Sequence, residues 1–268
     1  MDNINDDKTD EVTIAENERA WNDLAYEAWC AKYGKPSEAA EKIEKNPEKT
    51  VGIILEEFGE VKGMKIANLM GSHGMKALAL SCLGAEASVF DFSEGNRKYA
   101  LEMADHLKKE IRYVLTDVTA LPEEERSGDY DLVFAEMGIL HYFSDLKPFI
   151  ETAVKLLKSG GTFVIRDFHP VSTKLISSRG TTAKIRKHKV DGDYFDESLV
   201  ESEISYGKYL PGTPTEKVLL RKWTLGEIVT AVAEAGLMIL KLKEEPNLSS
   251  EAFDKGIPKT FILTARKI

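Results

Sequence analysis

The chain has 268 residues, 43% of them hydrophobic, and a formal net charge of −9. That length suits one core domain with an added segment, and that apolar fraction supports a sizeable core. The negative balance disfavours a general nucleic-acid scaffold, because phosphate binding needs clustered Lys and Arg; the one basic run, KIRKHK at 184–189, reads as a solvated surface stretch.

Cys30 and Cys82 are the only cysteines, far apart and without a CxxC partner. A disulfide framework or a structural metal site is not expected from them. The opening MDNINDDKTDEVT is acidic and polar, unlike a signal peptide. No apolar run approaches the ~20 residues of a membrane span. A soluble, cytoplasmic protein is expected.

Residues 1–13 carry almost no large apolar groups and are expected to be disordered. Over 15–33 the spacing of Trp21, Leu24, Ala25, Ala28 and Trp29 puts them on one helical face, and 36–58 continue as helix. Residues 14–62 thus form an N-terminal helical extension. From Lys65 the pattern changes. KIANLM, ASVFDF, IRYVLTD, YDLVFAE and GTFVIRDF are short apolar runs rich in Val, Ile and Phe, and read as buried strands. Segments of helical period separate them, and the Gly160–Gly161 pair fits the left-handed cap of the last. Strand alternating with helix predicts a doubly wound, mostly parallel α/β sheet. Residues 170–222 break the rhythm and are read as an insertion or lid. TLGEIVTAVAEAG then opens on Thr224 with Glu227 three residues on, a capping box. LMILKLKEE and KTFILTARKI close the sheet as an antiparallel pair, making seven strands.

The loop NLMGSHG, residues 68–74, follows the first strand and precedes a helix. In an open parallel sheet the ligand crevice lies at the carboxyl ends of the strands. Gly71 and Gly74 permit tight turns and close ligand approach. Asp91 ends the second strand, where an acid can accept hydrogen bonds from both hydroxyls of a ribose. Asp117 ends the third run, where a carboxylate can take the exocyclic amine of an adenine beside the backbone N–H of Val118. Each feature alone has a plainer reading, a turn or a helix cap. Their conjunction at the ends of three successive strands points to an adenosine-type ligand.

The carriers KIANLMGSHG, VFDFSEGN, LTDVTAL and GDYDLVFAEMGILHYFSDLKPFIETAVKLLKSGGTFVIRDFHP resemble the class I S-adenosylmethionine-dependent methyltransferases. The likeness covers residues 60–168 well and 223–268 in outline. It implies a Rossmann-like methyltransferase domain over 63–268, with the lid at 170–222. It also implies S-adenosylmethionine as cofactor and S-adenosylhomocysteine as product. That family's loop reads acid–x–Gly–x–Gly–x–Gly; aligned without gaps, this chain has Asn68, Met70, Ser72 and Gly74 at those four positions. The implied cofactor set is Asn68, Gly71, Ser72, Gly74, Asp91, Phe92, Asp117, Val118 and Glu136.

Candidate catalytic groups are Glu136 at the end of the fourth strand, His141 just beyond it, and His169 after the fifth. A base is needed only if the nucleophile must lose a proton. Arg166, His169, Tyr194 and Tyr206 are expected to meet a substrate, a small molecule rather than a nucleic acid. Trp21, Tyr26 and Trp29 read first as a core stripe, with a lid over the site as the alternative. Two competing functions share the opening strand and loop. One is an NAD(P)-dependent oxidoreductase, disfavoured because G-x-G-x-x-G is not met. The other is a non-catalytic S-adenosylmethionine-binding protein. A hydrolase is not expected, since no G-x-S-x-G occurs.

Overall fold

A computed structural model describes residues 24–179, 187–203, 210, 217–246 and 256–268. The expected tail at 1–13, Trp21 and Tyr206 lie outside the described residues.

Among the described residues four short α-helices come first: α1 (Ala25–Tyr33), α2 (Pro36–Lys45), α3 (Pro47–Val51) and α4 (Leu55–Phe58). Proline begins both α2 and α3, where its missing N–H costs nothing. The alternating part then runs β1 (Lys65–Leu69), α5 (Met75–Cys82), β2 (Glu86–Asp91), α6 (Glu94–His106), β3 (Arg112–Leu115), β4 (Tyr130–Glu136), α7 (Lys147–Leu156) and β5 (Leu157–Phe168). Two hairpins follow, β6 (Ile176–Arg179) with β7 (Lys187–Val190) and β8 (Leu199–Glu203) with β9 (Lys217–Arg221). They lie within the segment read as an insertion. The chain closes with α8 (Leu225–Glu234), β10 (Leu237–Glu245) and β11 (Thr260–Lys267).

The sheet has seven strands in the order β3-β2-β1-β4-β5-β11-β10. The first five are parallel; β11 is antiparallel to β5 and to β10. The chain moves outward from β1 to β3, then returns to place β4 on the other side of β1. That reversal is the switch point at which such sheets open a crevice. Successive residues of β1 serve opposite cores: Ile66 packs with Val89, Leu132 and Phe134, and Ala67 and Leu69 pack with Phe90, Val133 and Ala135. A strand buried on both faces reads as a continuous apolar run, which is why β1, β2 and β4 are recognisable in sequence.

Local signals act as expected at α8: Thr224 Oγ1 accepts the N–H of Glu227 at 3.2 Å, and Glu227 Oε2 accepts the N–H of Thr224 at 2.8 Å. They differ at Gly160. Helix α7 ends at Leu156, and Leu157 is already extended. Gly160, at φ +77°, instead turns the chain inside the irregular start of β5.

Candidate active site

A cavity of about 460 Å3 opens at the carboxyl ends of β1, β2 and β4. The loop after β1 is keyed to β2 by a hydrogen bond from the Met70 N–H to the Phe90 carbonyl, at 2.7 Å. Met70 and Ser72 both lie at φ +48°, and Gly74 at +68°. These are the three positions at which the resemblance places glycines. The chain keeps the left-handed backbone there with two side chains that resist it, at a cost of about 1–2 kcal/mol each.

Gly71 lines the cavity for a steric reason: a Cβ there would lie 2.7 Å from Asn68 Oδ1 and 2.8 Å from Val89 Cγ1. Gly74 does not line the cavity. Its missing Cβ lets α5 approach α6, since an added one would meet Ala100 Cβ at 2.7 Å. The expectation that Gly74 touches a ligand is corrected to a packing role.

Asp91 is buried at the end of β2. Its Oδ1 accepts the Ser93 N–H at 3.0 Å and the Asn96 amide at 3.2 Å; its Oδ2 accepts the Ser72 N–H at 3.0 Å. Burial pushes its carboxyl above the usual range, while these donors act in the opposite sense. Asn96 in turn accepts the Trp29 indole N–H at 2.7 Å. Helix α1 is thereby tied through Asn96 to Asp91. Asp117 lies two residues beyond β3 and accepts the N–H and hydroxyl of Thr119, both at 2.8 Å. Asn68, Ser72, Phe92 and Val118 also line the cavity.

His73 was not singled out by sequence reading. Its ring meets Trp29 at 4.7 Å and Tyr33 at 5.2 Å, both edge-on. Burial pulls its pKa down to about 3, and Lys32 and Lys76 pull the same way. The ring is neutral at any ordinary pH. A histidine between two glycines at a helix start was the only local signal; the packing partners come from α1, some forty residues earlier. Trp29 thus serves both the core and the cavity wall. Tyr26 instead donates to Glu102 at 2.6 Å.

Glu136 lines the cavity but is committed to cations. Lys76 binds its Oε2, and Arg166 Nη1 donates to its Oε1 at 2.9 Å. Arg166 also donates from Nε to Glu245 Oε2 at 3.0 Å, and Thr260 donates to the same oxygen at 2.6 Å. Burial would raise the Glu245 carboxyl, but Thr260 and Arg166 hold it below its usual range. This buried network leaves Glu136 no role as a proton acceptor. It also leaves Arg166 no place in the cavity.

His169 is buried away from the cavity. Its Nδ1 accepts the Val171 N–H at 3.1 Å, so its Nε2 carries the proton in the neutral ring, 2.7 Å from Glu244 Oε1. It joins β5 to β10 and is not placed to act as a base on a ligand. The Tyr194 hydroxyl accepts the N–H of Leu225, at 3.1 Å, at the start of α8. It is a helix cap and does not line the cavity. His141 lines a second, smaller cavity. Asp167 holds the loop after β4: its carboxylate accepts the N–H groups of Gly138, Ile139 and Leu140 at 2.7, 3.1 and 2.9 Å.

Residues 70–165 match the family model described as a methyltransferase domain. The structure resembles an S-adenosylmethionine-dependent methyltransferase from Mesorhizobium loti at TM-score 0.61 and 22% identity, over 81% of this chain and 98% of that one. It also resembles a putative S-adenosylmethionine-dependent methyltransferase from Listeria monocytogenes, at TM-score 0.61 and 19% identity, over 80% and 96%. A third likeness is to magnesium protoporphyrin IX methyltransferase from Synechocystis with bound SAH, at TM-score 0.55 and 14% identity, over 94% and 97%. No curated protein sequence matches the chain. Residues 70–165 thus match a methyltransferase domain, and the seven-stranded sheet has the fold of the S-adenosylmethionine-dependent methyltransferases it resembles. Neither competing function draws support from these likenesses.

Proposed function

We propose that the chain is an S-adenosylmethionine-dependent methyltransferase acting on a small molecule. The observation that carries this reading is the Asp91 carboxylate, held at the end of β2 and facing the cavity beside a loop with left-handed backbone at 70, 72 and 74. The residues present fit the cofactor. A ribose hydroxyl would be accepted at Asp91 Oδ2, since Oδ1 already accepts two donors. Asp117 and the Val118 N–H would read the adenine edge. The missing Cβ of Gly71 leaves room for close approach. Lys32 offers a positive charge at the wall for a carboxylate. The cavity volume falls within the range of sites that enclose such ligands, roughly 300–1,000 Å3.

S-adenosylmethionine, when bound, supplies a methyl group on a sulfonium for in-line displacement. The protein's contribution is position: orienting the ligand so that nucleophile and methyl align at about 3 Å. Trp29, Tyr33 and Tyr142 wall the cavity with aromatic surface. Lys76 and Arg166 pair with Glu136, so that carboxylate is not left as an unpaired charge in the cavity wall.

Replacing Asp117 with Ala tests the adenine assignment. The loss of one charge-assisted hydrogen bond, about 1.5–3 kcal/mol, should weaken S-adenosylhomocysteine by roughly tenfold to a hundredfold. Unchanged affinity would remove Asp117 from the site.

A further inference from the structure

The polar groups of the first cavity follow the order of the strands. Asp117 lies beyond β3, Asp91 ends β2, Asn68 lies in β1 and Glu136 ends β4, and all four line the cavity. The sheet sets those strands side by side as β3-β2-β1-β4. Three strand spacings separate the first from the last, roughly 14 Å. An S-adenosyl ligand is itself linear: adenine, ribose, sulfur, then the amino-acid end. With adenine at Asp117 and ribose at Asp91, the amino-acid end falls at β1 and β4. That end carries a carboxylate and an ammonium, and the wall there treats the two signs differently.

Lys76, in the first turn of α5, stands at this end of the cavity. Its ammonium binds Glu136 and donates to the Val51 carbonyl at 2.7 Å. These contacts fix the head of the side chain and use two of its three N–H groups. The side chain is still 29% exposed and lines the cavity. Burial pulls its pKa down, and the Glu136 carboxylate acts in the opposite sense. Lys32 reaches the same wall from α1, over the rings of Trp29 and Tyr33 at 5.4 and 4.7 Å from their centroids.

The wall has no comparable place for a cation. Among the described residues that line it, the carboxylates are Asp91, Asp117 and Glu136. The first two lie with the ribose and the adenine. Glu136 is held between Lys76 and Arg166, so an ammonium brought to it would meet two like charges. Asn68 is buried, and its side chain is a neutral amide. It can offer an ammonium an oxygen but no charge, and a hydrogen bond between ionised partners is the stronger kind.

We propose that Lys76 is a specificity-determining residue of the cofactor site. It binds the carboxylate of the amino-acid end, while the ammonium beside it has no charged partner. The site therefore selects S-adenosyl ligands by their carboxylate. This rests on the reading of the first cavity as the S-adenosylmethionine site.

The test is calorimetric titration of the cofactor-stripped chain with S-adenosylhomocysteine and three analogues. One lacks the amino group, 5′-S-(3-carboxypropyl)-5′-thioadenosine. One lacks the carboxyl group, 5′-S-(3-aminopropyl)-5′-thioadenosine. The third, 5′-methylthioadenosine, lacks both. The carboxypropyl analogue should bind within about fivefold of S-adenosylhomocysteine, and the aminopropyl analogue at least thirtyfold more weakly. Lys76→Met should weaken S-adenosylhomocysteine and the carboxypropyl analogue at least tenfold, and should not weaken the other two. An aminopropyl analogue that binds as tightly as the carboxypropyl one would overturn the proposal, as would unchanged S-adenosylhomocysteine affinity in Lys76→Met. If the variant also loses 5′-methylthioadenosine, its cavity has collapsed, and the series on the wild-type chain decides alone. If neither S-adenosylhomocysteine nor 5′-methylthioadenosine binds the wild-type chain, the reading of the first cavity falls and this one with it. If both bind and the analogues rank the other way, only this one falls.

Discussion

His73 allows a sharp test of how the first cavity is built. Its pKa of about 3 in the folded chain stands against 6.5 for a free imidazole. Between those values the unfolded chain binds a proton that the folded chain refuses. Stability from this site is therefore full above pH 6.5 and declines as pH falls toward 3, by at most about 1.4 kcal/mol per pH unit. The ring keeps partial exposure to the cavity, which screens it and makes that slope an upper limit. From pH 7 to 4.5 the expected loss is about 1–3 kcal/mol. His73→Phe removes the titration and keeps an aromatic edge for Trp29 and Tyr33. Urea unfolding of both proteins at pH 7, 5.5 and 4.5 gives the difference directly, with other titrating groups cancelling. Wild type should lose stability relative to the variant on acidification. A difference constant within about 0.5 kcal/mol would refute the enclosed, neutral His73.

Three further outcomes follow from the same geometry. Ser72→Gly relieves the left-handed strain, about 1–2 kcal/mol, against about 0.5–1 kcal/mol of glycine entropy, so its Tm should rise slightly; a fall would show that φ at 72 is not positive. Gly74→Ala adds a Cβ 2.7 Å from that of Ala100 at φ +68°, and should cost about 2–5 kcal/mol by urea unfolding; a neutral effect would contradict the α5–α6 contact. Trp29→Phe leaves the buried Asn96 oxygen without its 2.7 Å donor, costing about 1–3 kcal/mol. It should also weaken S-adenosylhomocysteine by calorimetry, since Asn96 positions Asp91; unchanged stability would deny the hydrogen bond.

What the sequence discloses depends on range. Strands β1, β2 and β4 are visible because both their faces are buried, and the Thr224–Glu227 box because its ends lie three residues apart. Asp91 and Asp117 were placed by their positions at or just beyond strand ends, and both reach the cavity. Met70 and Ser72 misled, because residue type argues against the left-handed backbone that the loop nonetheless adopts. His169 and Arg166 were assigned from their place at the end of β5. Their partners, Glu244 and Glu245, arrive from β10, more than seventy residues later, and draw both side chains into the framework. His73 and Asp167 were missed for the same reason in reverse. Their importance comes from α1 and from the loop after β4, which no local pattern connects to them. The competition between site and scaffold for polar residues is settled by tertiary contacts, and there a single sequence says least.

The central claim is that Asp91 holds the ribose of an S-adenosylmethionine-type ligand. Calorimetric titration of the cofactor-stripped chain with S-adenosylmethionine, S-adenosylhomocysteine and NAD(H), in wild type and in Asp91→Ala, tests it most directly. Micromolar binding of the first two is predicted. Removing the carboxylate forfeits hydrogen bonds to a charged acceptor, about 2–4 kcal/mol, and should weaken both by thirtyfold or more. Binding of NAD(H) alone, or affinity for S-adenosylhomocysteine that survives in Asp91→Ala, would contradict the account.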